Sequence, residues 1–111
     1  MGFLHHGRYF SYFEIGRTEL FRASGGNYRE MEESGLFVVV VKAECRYLRP
    51  ARYDDLLTVR TTLEEVTKVK IIHAYELLRD HERLATAQIT LAMVDRNGNV
   101  QAVPQWIEEL Y

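Results

Sequence analysis

The 111-residue sequence predicts an α+β domain in which one long helix is followed by an antiparallel meander of strands. Three observations carry that prediction. Apolar residues near the N-terminus recur at helical spacing, the period changes to two beyond Gly35, and turn signals separate the later apolar runs.

Over residues 8–23, Tyr9, Phe13, Gly16 and Leu20 fall four, three and four apart, and Tyr12, Ile15 and Phe21 widen the stripe, so this stretch is a helix with one apolar face. Gly16 in mid-helix costs up to about 1 kcal/mol relative to alanine, a cost that makes sense where another backbone must come close. Ser24, Gly25 and Gly26 end the helix, because glycine accepts the left-handed conformation of a C-cap. A short second turn or helix, Tyr28–Glu33, stops at Ser34 and Gly35.

Residues 36–47 are rich in valine and continuous in it from Val38 to Val41, the pattern of a strand covered on both faces. In residues 57–64, Leu57, Val59, Thr61 and Leu63 alternate with Thr58, Arg60, Thr62 and Glu64, so one face points inward and the other is wet. A third strand spans residues 69–78 and turns at residues 79–82, and a fourth spans residues 84–94. Asn97-Gly98 is a strong hairpin signal, after which residues 100–103 can pair briefly before Pro104 and a final short helix, Gln105–Leu110. Such a sheet has open edges, and a symmetric dimer joining two sheets edge to edge would remove one of them.

The totals restrict the function. A chain of this length is a single domain, and 14 basic against 16 acidic residues, net −2, provide no general field for nucleic acid. Anion binding must come from a local cluster. The lone cysteine, Cys45, lies in an apolar strand pattern and has no internal disulfide partner, which fits a core position in a reducing cytoplasm. No apolar run approaches the roughly 18 residues of a membrane span, and the start lacks the layout of a signal peptide.

The stretches "MGFLHHGRYFSYFEIGRTEL" and "RYLRPARYDDLLTV", in this order and spacing and with the helix-then-meander arrangement, resemble the hotdog-fold acyl-CoA thioesterases. The closest group is the 4-hydroxybenzoyl-CoA thioesterase family, which includes the Tol-Pal-associated acyl-CoA thioesterases. The resemblance runs from Gly2 to Trp106. It implies a long central helix wrapped by a curved antiparallel sheet, homodimers or homotetramers, active sites at subunit interfaces, an acyl-CoA substrate and no cofactor. It also implies a catalytic aspartate three places before Gly2, preceded by a strand. The expectation is therefore that both lie upstream of Met1, to be checked in the coding DNA.

Thioester hydrolysis needs a carboxylate or activated water beside the carbonyl carbon, and hydrogen-bond donors where the oxyanion develops. By the resemblance, Gly2 forms the turn before the helix and His6 supplies the oxyanion donor through its backbone N–H. The plain alternative is that His5 and His6 fill a loop. Tyr9 either lines the acyl pocket or packs the helix against the partner subunit, packing being the commoner use of an aromatic stripe. Glu14 either forms an i,i+3 ion pair with Arg17 or serves as a substitute general base. Lys68, which matches a basic position of the family, and neighbouring Lys70 are candidates for the phosphates of coenzyme A, against the plain alternative of a solvated hairpin tip. Arg46, Arg49 and Arg52 around Pro50 are interface or phosphate-facing residues, and Asp54 and Asp55 are structural.

Two other functions remain open from the sequence. One is a hotdog dehydratase using His6 and Glu14 to move a proton, and the other is a non-catalytic module binding acyl-CoA or acyl-carrier protein. Metal binding has little support, because His5, His6, His73 and His81 lack the spacing that places two ligands on one helix face.

Overall fold

The computed structural model describes residues 6–52 and 55–110. Its elements are α1 (His6–Ala23), α2 (Tyr28–Glu33), β1 (Phe37–Tyr47), β2 (Leu57–Val66), β3 (Lys70–Arg79), β4 (Glu82–Val94), β5 (Val100–Gln101) and α3 (Gln105–Leu110). The helices and strands thus fall where the periodicities place them, with ends shifted by one or two residues. No helix among the described residues is long and apolar enough to cross a membrane.

The strand order is β1-β4-β3-β2, every neighbour is antiparallel, and β5 pairs with β4. Only β2, β3 and β4 form a simple meander. β1 and β2, consecutive in the chain, take opposite edges of the four long strands, so the loop between them crosses about 14 Å of sheet at the usual strand spacing. A chain segment of nine residues reaches that far with length to spare.

Helix α1 ends in a Schellman motif: Gly25 has φ +96°, its N–H donates to Arg22 O, and Gly26 N–H donates to Phe21 O at 2.8 Å. Helix α2 starts on Asn27, whose side-chain oxygen accepts from Arg29 N and Glu30 N. The β3–β4 hairpin turns at Asp80, in the left-handed region at φ +56°, a conformation that aspartate tolerates better than most residues.

Tyr9, Phe13 and Phe21 of α1 pack onto the inward positions of the sheet, among them Tyr75, Leu77, Ile89, Leu91 and Met93. Gly16 meets β2. A Cβ there would overlap Thr61 Oγ1 and come within 2.9 Å of Val59 Cγ1, so the close approach is made by side chains of the strand. Ile15, which the helical stripe was expected to include, is 58% exposed because it lies two residues, or about 200° of helical rotation, from buried Phe13.

The helix covers only half of the sheet, lying on β2 and β3. β1 is consequently the less covered edge, with Val40 54% and Val41 53% exposed while Val38 and Cys45 pack against the core. This corrects the expectation that the valine run is covered on both faces: one side of β1 touches the core through Val38, Cys45 and Tyr47, and the other is exposed.

Candidate functional site

The first end of interest is the start of α1. His6 is the first helical residue and no acidic side chain occupies the first turn. The opening N–H groups of a helix have no intrahelical acceptors and lie at its positive end, a suitable place for a developing oxyanion. Tyr9, one turn later, is buried, and its hydroxyl oxygen accepts from Ala51 N at 3.3 Å. Its ring meets that of Tyr47 edge-on, with centroids 4.8 Å apart. Tyr9 therefore packs against Tyr47 and Ala51 of its own chain; the expectation was that it lines the acyl pocket or packs the helix against a partner.

The loop that receives Tyr9 is held firmly. Leu48 N and Arg49 N both donate to Leu84 O, and Arg52 N donates to Asp55 Oδ2 at 2.8 Å. Asp55 also accepts from Arg79, which reaches Glu82 at 2.6 Å. The Arg52 N–H, and then Arg79, hold the Asp55 carboxyl below its ordinary pKa, while Glu82 and Asp55 raise that of Arg79. Asp55 is thus part of the scaffold. Arg49 lies beside the same network, its Nε 3.7 Å from Glu82 Oε2, and its side chain is largely exposed.

Lys68 and Lys70 occupy the opposite end of the sheet. They sit on the β2–β3 hairpin, where Thr67 Oγ1 accepts from Val69 N and Lys70 N. Lys70 pairs across the strands with Ala92, whereas Leu77 pairs with Ala85, so the two ends are about 23 Å apart at the rise of an extended strand. Lys70 borders a shallow groove of about 550 Å³ with Val41, Lys42, Ile72 and Thr90, on the face turned away from α1. The structure therefore brings Tyr9 and Arg49 to one end and leaves Lys68 and Lys70 at the other.

Glu14 is exposed, and no ion pair joins it to Arg17. The expected i,i+3 pair fails because Arg17 turns inward, where its Nε is buried without a hydrogen-bond partner and its charge acts on Tyr28, His73 and Tyr75. Burial, assisted by the Arg17 charge, pushes the His73 pKa down to about 4, so this histidine is neutral near pH 7. Burial pushes Tyr75 up to about 12, against the opposing pull of Arg17. His6 and Glu14 are eight residues apart on α1, about 12 Å along the axis, too far for direct proton exchange within one chain. Gly2, His5 and Asp54 lie outside the described residues.

One interior space among the described residues is too small for an acyl group. The space bounded by Phe21, Tyr28, His73 and Met93 amounts to about 10 Å³, enough for one water molecule at most. Cys45 is half-buried and free, and burial raises its thiol pKa, which keeps it protonated and unreactive near neutral pH.

A helix laid across a curved antiparallel sheet is the fold this chain shares with solved thioesterases. Residues 1–86 match the Thioesterase superfamily, and the chain belongs to that family. The acyl-CoA thioesterase YbgC of Haemophilus influenzae is 35% identical over 85% of this chain and 70% of its own length. A crystal structure of a hypothetical protein from Aquifex aeolicus, also 35% identical, superposes with a TM-score of 0.92 over 98% of this chain and 86% of that one. The DHNA-CoA thioesterase of Staphylococcus aureus shares the fold, with a TM-score of 0.92 at 24% identity, over 100% of this chain and 78% of that one.

Sequence reasoning missed two clusters. In the Asp55–Arg79–Glu82 network Arg79 and Glu82 are three apart, but Asp55 lies 24 positions from Arg79, and only the pairing of β2 with β3 makes those two neighbours. The Arg17 cluster was detectable in part, since a basic residue next to Gly16 on the inward side of an aromatic helix is out of place.

Proposed function

We propose that this protein hydrolyses acyl-CoA thioesters to free acid and coenzyme A, with the start of α1 as the oxyanion site. The observation that carries this reading is the helix N-terminus at His6, free of acidic residues in its first turn and tied through Tyr9 to the anchored 48–55 loop. The carbonyl oxygen of the thioester accepts from a first-turn backbone N–H, that of His6 in this reading. Negative charge then builds on that oxygen as the nucleophile adds, where the donors and the helix dipole favour it. Collapse of the tetrahedral intermediate expels coenzyme A as its thiolate.

The carboxylate that attacks or activates water is the aspartate proposed to precede Gly2. β2 has a strand neighbour only on its β3 side among the described residues, so an upstream strand has an open edge to join. Coding DNA with no in-frame strand and aspartate before Met1 would leave exposed Glu14 as the remaining base candidate.

The protein works in this reading as a homodimer, or a homotetramer built from dimers, in the cytoplasm. Val39, Val40 and Val41 form an exposed apolar edge. Antiparallel pairing of two β1 strands would bury that edge and set the Tyr47 end of one copy beside the Phe37 end of the other. Lys68 and Lys70 of one copy would then approach the start of α1 in its partner, where they can meet the phosphates. The acyl group would lie between the copies.

The test is thiol release from short-chain, long-chain and aromatic acyl-CoA by protein carrying its upstream segment and by its aspartate-to-asparagine variant. A parent that hydrolyses thioesters and a variant that does not would support the mechanism. Tight acyl-CoA binding without turnover would make the protein a binding module, and an enoyl product from a 3-hydroxyacyl thioester would make it a dehydratase.

A further inference from the structure

The first turn of α1 is poorly secured by its own sequence. Its second residue is Gly7, which adds backbone freedom. A donor that must point at one oxygen atom needs a fixed position, so the restraint has to come from elsewhere in the fold.

Tyr9 provides a direct link. Ala51 is fully buried, so its N–H would be orphaned without the Tyr9 hydroxyl, and a phenylalanine would fill the same space while leaving that donor unsatisfied. The edge-on contact with Tyr47 fixes the ring from a second direction. The other side of the link is itself immobilised, by Leu84 O on residues 48 and 49 and by Asp55 on residue 52.

We propose that Tyr9 is a positioning residue: its hydroxyl locks the first turn of α1 to the 48–55 loop and thereby fixes the direction of the backbone donors that receive the thioester oxygen. The role rests on the thioesterase reading, and Tyr9 acts through the helix without touching the substrate. Loss of the hydroxyl should leave coenzyme A recognition alone and misplace the oxyanion donors, so the damage should fall on kcat rather than KM.

Tyr9→Phe is compared with the parent and with Ile71→Val, a conservative core change at the other end of the sheet. Each is measured for kcat and KM on one acyl-CoA, for Tm, and for amide hydrogen exchange at residues 8–10 and 51. Tyr9→Phe should lower kcat roughly tenfold or more with KM within about twofold, and should speed exchange at those amides. Ile71→Val should keep the parental kcat even where its Tm falls as far. Parental kcat in Tyr9→Phe, or equal losses of kcat in both variants, would overturn the proposal. If the parent hydrolyses no acyl-CoA, the thioesterase reading fails on its own. The exchange data then judge the clamp separately, and unchanged protection in Tyr9→Phe would overturn it as well.

Discussion

The two halves of the sheet are built differently. β2 and β3 lie beneath α1, and their inward residues, from Val59 and Thr61 to His73, Tyr75 and Leu77, are packed against it. β1, at the other edge, carries as many β-branched apolar residues, yet Val39, Val40 and Val41 face solvent. The difference teaches that apolar patterning specifies a demand for burial without naming what meets it. In one half the chain's own helix meets the demand, and in the other half the proposed second copy does.

The sharpest way to break this comparison is to charge each half in turn. Val40→Glu should convert the proposed dimer to a monomer in size-exclusion chromatography with light scattering and reduce thioester hydrolysis by roughly 100-fold. Thr62→Glu, on the wet face of β2, should leave both quantities within about twofold. A dimer that survives Val40→Glu would mean that the copies meet elsewhere.

The covered half should reveal itself through pH. His73 has a folded pKa of about 4 against an ordinary value of 6.5, so the unfolded chain takes up a proton more readily than the folded one. The stability this gives is complete above pH 6.5 and is lost as the pH falls toward about 4. The loss should be on the order of 3 kcal/mol, read from urea midpoints at several pH values. His73→Leu should flatten the pH dependence in that window, and an unchanged slope would place its origin in other groups.

A smaller effect is expected at the seam between helix and strand. Gly16→Ala gains up to about 1 kcal/mol of helix propensity but drives a methyl into Thr61, for a net loss of about 1–2 kcal/mol. Thr61→Ala in the same protein should restore most of the loss, because it removes the atom the new methyl meets. Additive losses would show that the contact is not the cause.

The smallest effect belongs to the hairpin that joins β2 and β3. Lys68→Ala with Lys70→Ala should raise KM for acyl-CoA several-fold at low ionic strength, with the difference shrinking as salt is added. KM for an acyl-pantetheine, which lacks the nucleotide phosphates, should not change. Equal effects on both substrates would remove the phosphate role from these lysines.

Much of the fold was legible in the sequence, because helix and strand periods differ and Gly25, Asp80 and Gly98 mark where the chain turns. The edge position of β1 was not, since a run of four valines reads the same whether the chain or a partner covers it. Within the site, the "GFLHHGRYF" stretch pointed to the helix start, and the structure begins α1 at His6. The inward turn of Arg17, the tie from Tyr9 to Ala51 and the separation of Lys70 from the helix start depend on strand order and register, which local patterns do not encode.

The central claim, a thioesterase site completed between two copies, is tested most directly by following activity through dissociation. Thiol release from an acyl-CoA is measured per chain as the protein, with its upstream segment, is diluted through the concentration at which light scattering shows the dimer coming apart. The account predicts that activity per chain falls in step with the dimer fraction. Constant activity per chain in a solution of monomers would contradict it.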